Sequence, residues 1–446
     1  MVVDGDSVIF LCNFMNYHKK VEFQNDSKRP YNIKEYMMAM LKKGYPIVCP
    51  EIYLPKKEVD LTKWAVVACD QFTSKPSYWR NLKDQIGDAP STLNLILPEV
   101  YLEDQMDDRI QKINQTMCDY HSKGILEKLE DSLILIERTT EKSQRRLGLM
   151  VAVDLEAYDY EEGTKPLIRT TEKTIIERIP PRVKIRKDAP LELSHVMLLV
   201  DDDRKRIIEN LYHKRNEFPL LYDFELNMKG GHIKGYQIKD VDGVIGEFLS
   251  LIEGEEDPVL FIAGDGNHSL ATAKAHWENL KHTLSEEELI NHPAQYALVE
   301  IVNIYDKGLD FEGIHRMMFP VDEKFYDELQ KSITAEKETW VYMQGIGKKV
   351  LYIPENDAVA YEEIQAFLDD YRINHPHVKI DYIHGDDDLI EASETHPNGF
   401  GIKMPTIERK EMFNYIKTGK VLPRKSFSMG CATAKRYYLE SRIIKK

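Results

Sequence analysis

Cysteine is scarce in this chain of 446 residues. The five present, Cys12, Cys49, Cys69, Cys118 and Cys431, are odd in number, far apart and never arranged as CxxC. That excludes a disulfide framework and a zinc knuckle, and it fits reduced thiols in a cytoplasmic protein. Long apolar runs are missing too. No stretch reaches the ~18 residues that a membrane-crossing helix needs, so no membrane partner is expected. Positive charge is the third shortage. Lys and Arg number 60 against 75 Asp and Glu, a net charge of -15. Nucleic-acid binders need a basic face to neutralise phosphates, so no nucleic-acid partner is expected either, although a local basic pocket is compatible with this balance.

The rest is ordinary globular composition, 42% hydrophobic and 30% charged, which excludes wholesale disorder. At about 150 residues per domain the length fits two or three domains. We expect a poorly ordered extension over residues 1–36, an N-terminal α/β region over 37–255 and a C-terminal α/β region over 256–446. The apolar stretch at 8–12 follows Asp4 and Asp6 rather than a basic segment, and it is too short for a secretory signal.

Apolar runs predict strands at residues 64–70, 133–138, 147–154, 195–200, 258–264, 294–305 and 348–353. Helices are expected over 104–130, 240–254, 269–281 and 360–374. Pro180 and Pro181 argue against a continuous helix over 175–186. Asp201, Asp202 and Asp203 are expected to cap a helix starting near Arg204. A glycine-rich turn is expected at 230–235, and a charged loop at 384–388. Strands and helices alternate irregularly, so the fold class is mixed α/β, with irregular mixed sheets and flanking helices.

One segment carries the sharpest chemical signal. An apolar strand ends at Gly264-Asp265-Gly266-Asn267-His268-Ser269, where a helix begins. Glycines allow close approach of a ligand, and the amides of a helix's first turn favour an anion such as phosphate. Asp265 at the strand end can hold magnesium or act as a base, and His268 in the first turn is favoured neutral. Asn267 and Ser269 can equally be simple helix caps. No Gly-Lys-Ser/Thr follows, so this is not a P-loop.

Three more segments gather cations and hydroxyls. Arg169-Thr170-Thr171-Glu172-Lys173-Thr174 and the nearby Arg178 offer Glu172 as a general base and Arg169 and Arg178 as a phosphate clamp. Arg424-Lys425-Ser426 reads as a phosphate grip. His315-Arg316 pairs an imidazole with a guanidinium. Each has a plain alternative as a solvated or structural segment. A metal set of His232, Asp265, His268 and His315 lacks any HExxH or HxH spacing.

These motifs, in this order, resemble the domain of unknown function 1015 family, from about Met38 to Arg442. The matching segments are Ala65-Val66-Val67-Ala68-Cys69-Asp70-Gln71, the run from Arg169 to Thr174, Asp265 to Ser269, Ile314-His315-Arg316, Tyr382-Ile383-His384-Gly385 and Pro423-Arg424-Lys425-Ser426. Asp265 to Ser269 corresponds to an Asp-Gly-His-His-Arg type of motif similar to that of the ParB-like and sulfiredoxin-like superfamily, which includes free-serine kinases. The resemblance implies such a core around 258–281, with Asp265 and His268 at a phosphate or metal site, and a link to serine or phosphoserine. Asn267 stands where the motif has its first His, and Ser269 where it has a phosphate-contacting Arg. Arg178, Arg424 or Lys425 would have to replace that arginine, which requires the fold to bring them together.

The expected function is therefore phosphoryl transfer on a small hydroxyl-bearing metabolite such as serine or phosphoserine, in either the kinase or the phosphatase direction. A nucleotide and magnesium are the expected cofactors. The expected catalytic residues are Glu172, Asp265 (also the magnesium ligand) and His268. Phosphate or nucleotide would be held by Gly264, Gly266, Asn267, Ser269, Arg169, Arg178, His315, Arg316, Arg424, Lys425 and Ser426. The alternatives are a non-catalytic nucleotide- or metabolite-binding regulator and a metal-dependent hydrolase.

Overall fold

The computed structural model describes residues 46–73, 75–102, 105–141 and 145–445. The extension expected over 1–36 lies outside these. The fold is mixed α/β. Ten strands form one sheet: β1 Ile47–Val48, β2 Leu133–Thr139, β3 Arg146–Asp154, β4 Tyr158–Asp159, β5 Ile168–Arg169, β6 Met197–Val200, β7 Leu220–Leu226, β8 Gly231–Ile238, β9 Phe261–Asp265 and β10 Tyr296–Asn303. Their spatial order is β7-β8-β2-β3-β10-β6-β9-β5-β4, with β1 added beside β3. The pairs β6/β10, β9/β5 and β5/β4 are parallel, whereas β2/β3, β3/β10 and β6/β9 are antiparallel. The division expected at 255/256 runs between strands of this one sheet.

The near-continuous apolar runs of β2 and β3 follow from burial of both sheet faces. Leu133, Leu135, Leu149 and Val151 enter one core, while Ile134, Ile136 and Met150 enter the opposite one. That is the two-residue period of a strand with no solvent side. A second sheet contains β11 His315–Phe319, β12 Lys337–Met343, β13 Gly347–Ile353, β14 Lys379–Ile383 and β15 Phe400–Ile402, in the order β13-β12-β15-β11-β14. The main helices are α1 Met106–Ser122, α2 Ile179–Lys187, α3 Asn267–Lys281, α4 Asp357–Asn374 and α5 Asp386–Thr395. Among the described residues, no helix is long and apolar enough to cross a membrane.

Several local expectations need correction. The helix expected over 104–130 stops at Ser122, because Gly124 takes a left-handed turn (φ 63°) and a short strand, Leu126–Lys128, follows. Over 175–186 no continuous α-helix forms, as expected: a 3-10 turn at Ile176–Arg178 precedes α2, whose first turn takes both prolines, where no backbone N–H is needed. The helix expected near Arg204 begins at Ile208, and Asp202 accepts the N–H of Ile207 just ahead of it. The strand expected over 64–70 shrinks to Val66–Val67, because Asp60 caps a helix running to Trp64. Gly231 and His232 belong to β8 rather than to a turn, and Asp386–Asp388 form the first turn of α5 rather than a loop.

Tail strands close the structure. Tyr437–Tyr438 pairs with Val66–Val67, and Ser441–Ile443 pairs with Leu191–Leu193. Both pairings set the walls of the cleft described next.

Candidate functional site

The site is built where β9 ends in the middle of the large sheet. Gly264 lies so close to the Met429 and Leu199 side chains that a Cβ there would meet them at 2.7 and 2.8 Å. This pulls the tail strand Phe427–Met429 against the end of β9. Gly266 sits at φ 79°, and an added Cβ would lie 3.0 Å from Val196 Cα. Only glycine makes this turn without strain, and the turn aims the start of α3 into a cleft. Gly266→Val is expected to lower the unfolding free energy by about 1–3 kcal/mol, read from the urea midpoint; an unchanged midpoint would refute this reading.

Two threonines dock the next segment onto α3. Thr170 donates its hydroxyl to Asn267 Oδ1 at 2.8 Å, and Thr171 donates to the Ala263 carbonyl at 2.6 Å. Asn267 is thus a tether rather than a bare cap. Glu172 follows and bridges to Leu422 in parallel register. Its carboxylate accepts backbone N–H groups of Lys425 and Ser426, the latter at 3.1 Å. Lys425 itself is in the left-handed region at φ 57°. Burial raises the Glu172 pKa above the usual carboxylate value, and the two amides and the nearby Lys425 and Arg316 charges offset only part of that.

The resulting cleft has a volume of about 640 Å³. It is lined by Glu172, Arg178, Arg424, Lys425 and the whole run from Gly264 to Ser269. Eight cationic side chains line it against four carboxylates, Glu99, Glu172, Glu192 and Asp265. Of these cations, Arg436 pairs with Glu300 and Glu440 behind the wall; the remaining local balance is still positive, in a chain of net charge -15, and is compatible with an anion. Arg182, from α2, pairs with Glu99, while Arg186 pairs with Glu192. Arg424 donates from Nε to the Tyr382 hydroxyl at 2.9 Å. Lys435 lies 3.3 Å from Asp265 Oδ2, and Gly266 donates its N–H to the other oxygen of Asp265.

Four expected ligands lie elsewhere. Arg169 is buried and donates to the carbonyls of Pro166, Ile416 and Lys417 and to Asp257. Arg316 has no exposed surface, and its guanidinium holds the carbonyls of Ile314, Arg424 and Lys425 and the Gln365 side chain. It grips the cleft's loop from behind instead of touching an anion. His315 accepts the Met404 N–H at Nδ1 and so donates from Nε2 to Asp386. Ser426 is buried, and its hydroxyl closes a turn onto the Pro423 carbonyl at 2.6 Å. His268 is at the cleft, but its Nε2 accepts the Ile175 N–H at 3.3 Å, which places the ring proton on Nδ1.

The expected metal set does not assemble. His232 pairs with Asp223 across β7 and β8, and His315 pairs with Asp386. Among the described residues, no group of three or more His, Cys, Asp or Glu side chains is placed to hold an ion.

A family model described as "Protein of unknown function (DUF1015)" matches residues 51–371. The chain belongs to that family. No curated protein matches it. Among solved structures it is similar to a free serine kinase in complex with AMP, at 10% identity and a TM-score of 0.35, over 65% of this chain and 90% of that one. A conserved hypothetical protein from Pyrococcus furiosus is similar at 11% identity and a TM-score of 0.32, over 65% and 93%. SbnI with a C-terminal truncation, from Staphylococcus aureus, is similar at 10% identity and a TM-score of 0.34, over 64% and 86%.

Sequence reasoning missed His195, Lys435 and Tyr438, which also line the cleft. His195 precedes β6 and links the Ser269 hydroxyl, 3.1 Å from Nε2, to the Tyr438 hydroxyl, 2.8 Å from Nδ1. Neither neighbour is near it in sequence, so no spacing rule could have found this group.

Proposed function

We propose that this protein transfers a phosphoryl group to or from a small hydroxyl-bearing metabolite, with serine or phosphoserine as the first compounds to try. The observation that carries this reading is the convergence of Arg178, Arg424 and Lys425 with the first turn of α3 on one cleft that also contains a half-buried carboxylate, Glu172. Phosphoryl transfer needs mainly positioning and neutralisation of charge, which cations and helix amides supply. Glu172 then moves the proton of the metabolite hydroxyl. Its raised pKa brings it nearer to neutrality, where such transfer is efficient. At about 640 Å³ the cleft also has room for a nucleotide beside a small metabolite.

Magnesium, if it takes part, neutralises charge on phosphate oxygens and is usually held by one or two carboxylates. Asp265 is the carboxylate for that role. It already faces Lys435, so positive charge is present at this point of the wall.

The deciding assay compares phosphate release from phosphoserine without nucleotide against nucleotide-dependent phosphorylation of serine. Absence of both removes the serine reading. Replacing Arg424 and Lys425 together by alanine is expected to weaken inorganic phosphate binding at least ~10-fold, because each charge-assisted hydrogen bond contributes about 1.5–3 kcal/mol. Calorimetric titration checks this, and unchanged affinity would place the anion elsewhere. A non-catalytic regulator using the same cleft would show thermal stabilisation by nucleotide with no turnover.

A further inference from the structure

Resting on the phosphoryl-transfer reading, we propose that Ser269 is a nucleophile that accepts the phosphoryl group covalently, with His195 as its base and Tyr438 as the group that orients His195. Three half-buried side chains from separate parts of the chain form one hydrogen-bonded row at the cleft wall: Ser269 Oγ to His195 Nε2 at 3.1 Å and His195 Nδ1 to the Tyr438 hydroxyl at 2.8 Å. A hydroxyl within reach of an imidazole that a third group holds in place is the general arrangement of an activated nucleophile. In the tautomer that carries the ring proton on Nδ1 and donates it to Tyr438, Nε2 is ready to take the serine proton. Burial lowers the His195 pKa, so the ring is neutral and able to accept. Tyr438 is held in register by its pairing with Val66.

The contrast with the other acid-base candidates sharpens the choice. His268 has its Nε2 engaged by a backbone amide, and Glu172 receives two amides. Both nitrogens of His195 meet hydroxyls instead. Ser269 also lies in the first turn of α3, where phosphate is favoured.

The chemistry balances in the hydrolytic direction. Ser269 Oγ bonds to phosphorus as its proton passes to His195 Nε2. The ester P–O bond breaks, and Glu172 in its protonated form gives a proton to the departing alkoxide. Water then attacks the phosphoserine, yielding a proton to the Glu172 carboxylate. The serine oxygen recovers its own proton from His195, and inorganic phosphate leaves.

The test incubates the full chain with para-nitrophenyl phosphate and with phosphoserine, quenches in acid, and maps phosphate by peptide mass spectrometry. The expected result is one phosphoryl group on Ser269, lost in Ser269→Ala together with a fall in turnover of about 10³-fold. Tyr438→Phe should lower kcat roughly 10-fold with KM unchanged, because only the orientation of His195 is disturbed. A measurement on the unaltered protein guards against a misfolded variant. Glycerol competing with water for a shared intermediate should give one partition ratio whatever the leaving group. Turnover with no label on Ser269, or a ratio that changes with the leaving group, overturns the covalent step while leaving phosphoryl transfer standing. Absence of turnover in both directions removes both readings.

Discussion

Arg316→Met is expected to lower the unfolding free energy by about 3–5 kcal/mol, the range found when one partner of a buried charged network is removed. The side chain has no exposed surface. Its Nε donates to Gln365 at 2.9 Å, and its terminal nitrogens donate to the carbonyls of Ile314, Lys425 and Arg424 at 2.7, 2.7 and 3.2 Å. The guanidinium also lies 4.8 Å from the Tyr382 ring centroid. Methionine fills similar space but leaves those carbonyls in the interior without this donor, and each orphan costs about 1–3 kcal/mol. The same change should loosen the 424–426 turn and weaken phosphate binding, although Arg316 does not line the cleft. Lysine restores the charge but not the planar fork, so Arg316→Lys should recover only part of either loss. Urea unfolding and phosphate calorimetry on the three proteins measure both effects. A methionine variant with wild-type stability would show that the network is dispensable.

The second large effect concerns Glu172. Glu172→Gln keeps an oxygen for the Ser426 amide, so the fold should survive, while proton transfer is lost and kcat/KM falls by about 10²–10⁴-fold. The sign of the pH dependence reports the direction of the reaction. A carboxylate acting as base on serine must be ionised, so activity drops as pH falls through its pKa. A carboxyl acting as acid on phosphoserine must be protonated, so activity drops as pH rises through it. Burial raises that pKa, so either limb should lie above the ordinary glutamate value of about 4.3. The limb should vanish in the glutamine variant. A limb that persists there belongs to another group.

How much of this was legible beforehand depended on how local the determinants are. The runs at 133–138 and 147–154 betrayed buried strands because the large sheet is covered on both faces. The strand-turn-helix at 261–281 announced itself because Gly266 must sit in a left-handed turn. Arg169, Arg316 and Ser426 misled because a cation beside hydroxyls looks the same whether its donors meet a ligand or a distant carbonyl. Only the packing revealed that Arg169 reaches Ile416 and that Arg316 holds the 424–425 loop. Asn267 looked like a lost histidine and proved to be a tether for Thr170. His195 and Tyr438 were invisible because the pairing of Tyr438 with Val66 is what brings the tail to the site.

That tail pairing has a consequence for biosynthesis. A ribosome delivers His195 and Ser269 long before Tyr438, so an emerging polypeptide holds two members of this hydrogen-bonded row well ahead of the third. Contacts this remote close slowly. A growing chain would therefore leave this wall of the cleft open until the final stretch docks, and premature termination anywhere before residue 430 would yield a product without the contact between His195 and Tyr438.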